Sequence, residues 1–417
     1  RFDNRTMSLY WGVALLPVVY WLAGGAYLLY GCIWILALLI RPAGKTSVRH
    51  PSLLVRLFGL LGLALLMVAV PLIFRQMFLF DTAMQSYLSE AFYKLRFVFP
   101  MPVLWISIGI VVAILVARLF ASAIIPRKSG FFEVTMLVLL TAFMAVGVIG
   151  NANFSVEREL RFSNWVHQQK WVNIIESEPD WNELGPQGRV ALALALAHEG
   201  QLTSRAFELH MKKEDLFLKY DLKGVAPFLV SDVFYALGMN NFAQMMALES
   251  IESAPDGKWP ARAMKRAAQT YVVNGQYAVA EKYLLKLEKT LFYRKWASET
   301  LELIQNETAL LSHPDWAKQR ASAPKADFLY NDAALHIALV HLLQANIDNR
   351  AAYEYLMAHF LFTLDFDAFL AHLEFYNHYH YSETPKAVQE AIAYVETIAE
   401  ELPAYVKAIP VEEEVRQ

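Results

Sequence analysis

Cysteine is almost missing from this chain, with Cys32 the single example in 417 residues. No disulfide can therefore form within it, and packing must hold it together. Charge is scarce as well. Asp, Glu, Lys and Arg make up 18% of the residues, against about 25% in ordinary soluble domains. The net charge of −3 gives no basic footprint for nucleic acid. Catalytic signatures are also lacking: there is no G-x-S-x-G, no H-E-x-x-H and no phosphate-cradling glycine loop. Those gaps set aside serine-hydrolase, zincin and P-loop chemistry.

What the chain does hold is apolar sequence, unevenly spread. Hydrophobic residues reach 56% and the mean hydropathy is +0.29. From Thr6 to Ile40 no charged residue occurs, and further apolar runs cover Leu57–Phe74, Met101–Ala117 and Val134–Gly150. Past Asn151 the charges return and the apolar residues become spaced. A helix rises about 1.5 Å per residue, so about 20 apolar residues cross the hydrocarbon core. Residues 1–150 accordingly read as a transmembrane domain of four spans, over Trp21–Ile40, Leu53–Phe74, Pro102–Phe120 and Phe131–Gly150. Leu9–Ile40 is too long for the core of a signal peptide. The expected form of the first run is one helix led by an interfacial or re-entrant piece containing Pro17. A tight hairpin at Gly24-Gly25 is the disfavoured alternative, because its turn would leave backbone groups unpaired in lipid. Residues 76–99 mix Phe78, Phe80, Tyr87, Phe92, Phe97 and Phe99 with Asp81, Glu90, Lys94 and Arg96, which suits an amphipathic helix at headgroup level.

Basic residues set the expected orientation. Arg41, Lys45, Arg49 and Arg56 follow the first span, and Arg118, Arg127 and Lys128 follow the third. The positive-inside rule places these turns in the cytoplasm and the C-terminal half across the membrane, in the periplasm of a bacterium. Glu133 and Arg118 lie close enough to the interface to snorkel, and no span carries a charge at its middle, which argues against a pump.

Residues 151–417 show helical rather than β periodicity. Val190–Ala197 reads VALALALA, alternating yet built from strong helix formers, and runs into Gly200 as a helix closing on glycine would. Ala267–Lys289, AAQTYVVNGQYAVAEKYLLKLEK, predicts two antiparallel helices across Asn274-Gly275. Comparable turns fall near Gln169, Gly200, Asn240 and Asn346, so the spacings are 31, 40, 35 and 71, the last about twice 35. Helix-pair repeats of 34 to about 40 residues give such intervals. The expected fold is therefore all-α: transmembrane helices followed by a tetratricopeptide-like α-solenoid. Leu301–Lys325 fits the repeat least well and is expected to be a loop-rich insertion.

Candidate sites are few. LEFYNHYHYSETP at Leu373–Pro385 carries His378 and His380 around Tyr379, with Glu374 and Glu383 nearby. A His-x-His pair plus a carboxylate suits zinc on a strand, but on a helix the two rings diverge, so a structural cluster is expected and no metal, cofactor or catalytic residue is assigned. Tyr376, Tyr379 and Tyr381 are expected to pack rather than to form a ligand platform. Trp165, Trp171 and Trp181 are expected to fill the first helical layer. Glu400-Glu401 and Glu412–Glu414 read as a solvated face and tail.

Four features recur together: the multi-span N-terminal half, the run RFSNWVHQQKWVNII, helix pairs without catalytic motifs, and PKAVQEAI at Pro385–Ile392. The ensemble resembles an uncharacterised family of Bacteroidota inner-membrane proteins with tetratricopeptide-like periplasmic regions. That likeness implies no enzymatic activity and an inner-membrane location with the C-terminal domain in the periplasm. The expected role is a membrane-anchored scaffold binding protein partners or client polypeptides of an envelope complex for secretion, translocation or assembly. The alternative is a membrane-embedded enzyme or transporter with its site between the spans.

Overall fold

The computed structural model describes residues 4–40, 53–77, 86–87, 154–177, 180–217, 226–253, 259–324, 334–399 and 401–416, with isolated helical positions at Gly109, Val138, Ala142, Val146 and Ile149. Every regular element among the described residues is helical. The third and fourth expected spans and most of the expected interfacial helix lie outside the described residues. The chain divides into two compact units, one of residues 1–152 with 254–259 and 289–291, the other of the remaining residues.

In the first unit α1 covers Asn4–Ala23, a short 3-10 turn Gly24–Ala26, α2 Tyr27–Ile40 and α3 Leu53–Met77. The runs Gly12–Ile35 and Gly59–Met77 are long and apolar enough to cross a membrane. The first is not one straight rod. A helix would separate Gly12 from Trp34 by about 33 Å, yet a Cβ on Gly12 would stand 3.0 Å from the Trp34 ring, and the Tyr30 hydroxyl donates to the Gly12 carbonyl at 3.3 Å. The chain reverses at Gly24-Gly25. The expectation of a single helix over Trp21–Ile40 is thus corrected, and the reason is local. Gly24 takes a left-handed φ of 51°, and the Tyr27 N–H bonds back to the Gly24 carbonyl, so the turn satisfies backbone groups that an open loop would strand.

Tyrosines knit the three helices. Leu16, Tyr20, Tyr27, Leu63 and Val70 form the core, with Tyr20 edge-on to Tyr27 at 5.0 Å and to Phe74 at 5.1 Å. Pro71 sits inside α3 and has no N–H for the carbonyl four residues earlier. That carbonyl belongs to Met67, and the Tyr27 hydroxyl donates to it at 2.9 Å. The Tyr87 hydroxyl donates to the neighbouring Val68 carbonyl at 2.7 Å. Helical breaks are tolerated in apolar surroundings when a neighbour re-satisfies the freed group.

The second unit is a series of helical hairpins. Its helices are α4 (Phe154–His167), α5 (Trp171–Glu176), α6 (Pro186–His198), α7 (Leu202–Arg205), α8 (Ala226–Leu237), α9 (Asn240–Glu252), α10 (Ala261–Val273), α11 (Tyr277–Leu287), α12 (Arg294–Ile304), α13 (Glu307–Ser312), α14 (Pro314–Ala321), α15 (Leu335–Ala345), α16 (Arg350–Thr363), α17 (Phe366–His372), α18 (Lys386–Ile398) and α19 (Ala404–Lys407). Gln169, Gly200, Gly238 and Gly275 all take positive φ and share one bonding pattern. Each donates its N–H to the carbonyl three residues back, and the next residue donates to the carbonyl five residues back from itself. That is the Schellman closure, which caps a helix and turns the chain in one step. These four turns stand 31, 38 and 37 residues apart, and the same closure is found at His210 and Leu364.

Leu301–Lys325 is not a loop-rich insertion. The Asn306 side chain accepts from the Ala309 N–H to start α13, and Pro314 opens α14. The pair α12–α13 is the hairpin that the 71-residue gap concealed. Asn346 differs from the other turns, with an extended φ of −149°.

Contacts between sequential neighbours suffice for a linear stack of repeats, but this unit also closes on itself. Buried helix α16 packs on α6 and α7, 151 residues separating Thr203 from its partner Glu354. Helix α14 seals two hairpin turns. Gln319 donates to the Tyr235 carbonyl at 2.6 Å and Arg320 to the Val272 carbonyl at 2.9 Å, equivalent positions of successive turns. Gly238 allows this approach, since a Cβ there would lie 2.7 Å from the Ser322 carbonyl oxygen.

Candidate functional site

Two polar assemblies interrupt the second unit's apolar packing. The first joins helices from three hairpins. Asp232, in the apolar stretch of α8, has a side chain 1% exposed. Both of its oxygens accept from guanidinium groups one turn apart on α10. Arg266 donates Nε at 3.0 Å and Nη2 at 2.6 Å to Oδ1, while Arg262 donates Nε at 3.1 Å to Oδ2 and Nη2 to the same oxygen. Nδ1 of His167 on α4 lies 3.1 Å from Oδ2, and Arg262 also donates to the Ser163 carbonyl at 2.9 Å. Burial opposes ionisation of Asp232, but Arg262, Arg266 and then His167 outweigh it and hold the carboxyl well below the usual range. Burial keeps the His167 pKa low against the pull of Asp232. Arg266 lies 3.7 Å over the Tyr235 ring, and Lys265 projects over Tyr293 and Trp296 at 5.4 and 5.1 Å. A doubly bridged buried carboxylate of this kind is a clamp between helices.

The second assembly underlies an open cleft of about 770 Å³. Six carboxylates face the cleft from four stretches of chain: Glu199 and Glu208, Glu383, Glu390, and Glu412 with Glu414. Arg350 and Lys386 are its cations. Beneath them Glu354 is fully buried and accepts from the Thr203 N–H at 2.8 Å, the Thr203 hydroxyl at 3.0 Å and the Tyr381 hydroxyl. Burial raises the Glu354 pKa against those hydrogen bonds, and it raises that of Tyr381 with Glu354 adding to it, so the phenol remains a donor.

Glu354 stands one turn from Arg350, the spacing at which the two would ordinarily pair. Thr203 and Tyr381 take its acceptor sites instead. Arg350 is left with its guanidinium 4.9 Å over the Tyr381 ring and tight against Gly200, where a Cβ would come within 2.1 Å of Cζ. Its Nε is buried and has no acceptor among the described residues.

Of the residues singled out in the sequence, Tyr381, Glu383, Glu412 and Glu414 fall in the second assembly, and the histidine pair lands elsewhere. His378 meets Asp348 at 2.9 Å on the surface. His380 follows at an exposed left-handed turn with φ 48°, so the two rings flank buried Tyr379 without converging. Among the described residues no three His, Cys, Asp or Glu side chains come together as a metal set. Tyr379 stacks on Tyr353 at 4.4 Å and Tyr376 on Tyr381 at 4.7 Å. Trp171 stacks on His198 at 4.3 Å, and Arg189 covers buried Trp181 at 5.1 Å. Glu412 and Glu414, expected as solvated tail, are exposed and line the open cleft, with the Glu412 N–H donating to Gln389 Oε1 at 2.7 Å. Asp232, Arg266 and Glu354 were not singled out. For Asp232 and Glu354 the signal is a lone acid inside an apolar helical face, as in LVSDVFYAL and AAYEYLMAHF, whereas Arg266 sits in the basic run ARAMKRAA.

The sequence matches the family of unknown function DUF6057 over residues 1–417. The chain belongs to that family. No curated protein and no solved structure matches it. Membership in DUF6057 brings no assigned activity, and function must be argued from the geometry above.

Proposed function

We propose that this protein is a membrane-anchored, tetratricopeptide-like scaffold that holds protein partners or client polypeptides for a bacterial envelope complex in secretion, translocation or assembly. The observation that carries this reading is the row of helical hairpins joined by recurring Schellman turns and bearing an open polar cleft. Stacked helix pairs present a continuous surface suited to extended chains or helices. The apolar hairpin α1–α2 and helix α3 support tethering at a bilayer. The basic turns at Arg41–Arg56 and Arg118–Lys128 support an inner-membrane protein whose C-terminal unit lies in the periplasm. The repeat reading extends to all six hairpins, α4–α5 through α15–α16, with α14 as a stitch between them.

Photo-reactive residues at Ser382, on the cleft rim, and at exposed Tyr394 test this in native membranes containing the full chain. A defined polypeptide captured at either position, identified by mass spectrometry, is the expected result. Capture at neither position above background refutes the scaffold. A reporter joined after Gln417 should be active only in the periplasm, and activity in the cytoplasm overturns the location.

A further inference from the structure

We propose that the turn between α11 and α12 is a further membrane contact: Leu291 and Phe292 at its tip enter the interfacial layer of the bilayer, and Lys289 and Arg294 lie against anionic lipid headgroups. This rests on the membrane-anchored reading and adds to it a lipid contact outside the apolar helices. Three observations carry it.

The first is exposure that the fold enforces. Phe292 is 82% exposed, which no large apolar side chain among the described residues exceeds; Leu22 of α1 reaches 78%. Its neighbour Leu291 is exposed as well. The turn around them is nonetheless fixed. Thr290 on one side is buried. Tyr293 on the other packs against Lys265, whose Nζ stands 5.4 Å from its ring and 5.1 Å from that of Trp296. The Arg294 Nε donates to the Glu288 carbonyl at 3.2 Å across the turn, and the Ser298 hydroxyl donates to Glu288 Oε1 at 3.0 Å. The flanking residues thus anchor inward while two adjacent apolar side chains are held outward, the reverse of what water favours.

The second is charge. Lys289–Ser298, KTLFYRKWAS, holds three cations and no acid. Among the described residues Lys289 and Arg294 make no ion pair, and Lys295 meets Glu299 at 3.8 Å on the exposed surface. Apolar and aromatic side chains set between Lys and Arg are the composition of an interfacial anchor, the rings reaching the acyl boundary and the cations the phosphates. The third is place. Successive Schellman turns lie side by side, where α14 seals two of them. The α11–α12 turn joins the opposite ends of its helices, the ends at which α4 also begins, with Phe154 exposed. The apolar run Val134–Gly150 stops four residues before Phe154, at most about 14 Å of chain. In the anchored reading that tether favours lipid over a diffusing protein as the occupant.

The test uses the full-length chain with Cys32→Ser in nanodiscs of mixed phosphatidylglycerol and phosphatidylcholine, carrying a nitroxide on Leu291→Cys. Accessibility to oxygen, which concentrates in lipid, is compared with accessibility to a neutral nickel chelate, which stays in water. The probe at 291 should be open to oxygen and shielded from nickel, as should one at Leu22→Cys. One at Gln276→Cys, on an exposed Schellman turn, should be open to nickel. Adding Phe292→Asp should lower the docked-to-free ratio at 291 at least about tenfold, the loss of one buried phenyl ring. Lys289→Gln with Arg294→Gln should lower it at least about fivefold, and discs of phosphatidylcholine alone should abolish that difference. These side chains are exposed, so unchanged melting is expected of each variant.

Nickel accessibility at 291 beside oxygen accessibility at 22 overturns the inference and leaves the anchor standing. Nickel accessibility at both positions removes the anchor as well. A probe at 291 shielded from both reagents is packed against protein, a second copy or the chain itself, and also overturns the inference.

Discussion

Replacing Asp232 by alanine should cost the second unit more stability than any rim substitution in the molecule. The carboxylate is the shared counter-charge of Arg262 and Arg266, and its side chain is 1% exposed. Its removal leaves the Arg266 guanidinium, itself 5% exposed, without its acid partner, while Arg262, at 22% exposure, can turn toward water. Leaving one buried charge unpaired costs about 3–5 kcal/mol, set against a total stability of about 5–15 kcal/mol for a domain. The same reasoning gives a sign that a simple loss of contacts does not. Asp232→Ala combined with Arg266→Met removes both buried charges, so the double variant should be more stable than Asp232→Ala alone by about 1–2 kcal/mol. Guanidinium unfolding of the full chain in nanodiscs, followed by helical dichroism with the slope compared between variants, measures both quantities. A cost below about 1 kcal/mol for the single variant, or a double variant weaker than the single, would refute the clamp.

Three further expectations follow from particular contacts. Tyr27→Phe strands the Met67 carbonyl freed by Pro71 and should destabilise the first unit by about 1–2 kcal/mol. In a Pro71→Ala background, where the helix supplies its own N–H, the same change should be nearly neutral, and equal costs in both backgrounds would exclude the compensation. Gly238→Ala meets both a φ of 93° and the Ser322 carbonyl oxygen, whereas Gly275→Ala meets only a φ of 73° in open space. Gly275→Ala should cost about 1 kcal/mol and Gly238→Ala distinctly more, a ranking that melting temperatures settle. Burial lowers the His198 pKa to about 3 from the unfolded value of about 6.5. The unfolded chain therefore takes up the proton first, and stability falls as pH drops through the window from about 6.5 toward 3. Allowing for the partly exposed edge of the ring, His198 should account for about 1–2 kcal/mol lost by pH 5. His198→Phe, which keeps the stack on Trp171, should lose less on acidification than the parent; an equal loss would remove His198 as the cause.

How much of this was legible depended on the kind of signal. Val190–Ala197 was read as helix despite its alternation, because alanine and leucine favour helix and a glycine follows at the right place; all eight residues are buried. The turns at Gln169, Gly200 and Gly275 were visible from glycine and polar residues between helical runs, and the turn read near Asn240 centres on Gly238. The first apolar run conceals its turn, because an open turn would strand backbone groups in lipid whereas the 3-10 turn at Gly24–Ala26 pairs them. The hairpin α12–α13 was hidden by polar composition, although Asn306 and Pro314 stood at the cap and first-turn positions where they start helices. The closure of α16 onto α6 and α7 lies beyond any local pattern, since it joins residues 151 positions apart.

The two buried carboxylates show how one kind of group serves two purposes. Asp232 lies between two guanidiniums, so its charge is neutralised in place and its helices are drawn together. Glu354 is met by hydroxyls and an amide N–H, and its own natural partner four residues earlier is turned away. The first arrangement uses up its cations; the second sets one free. Among the described residues that line the cleft, Arg350 is thus held between Gly200 and the Tyr381 ring with its buried Nε unpaired.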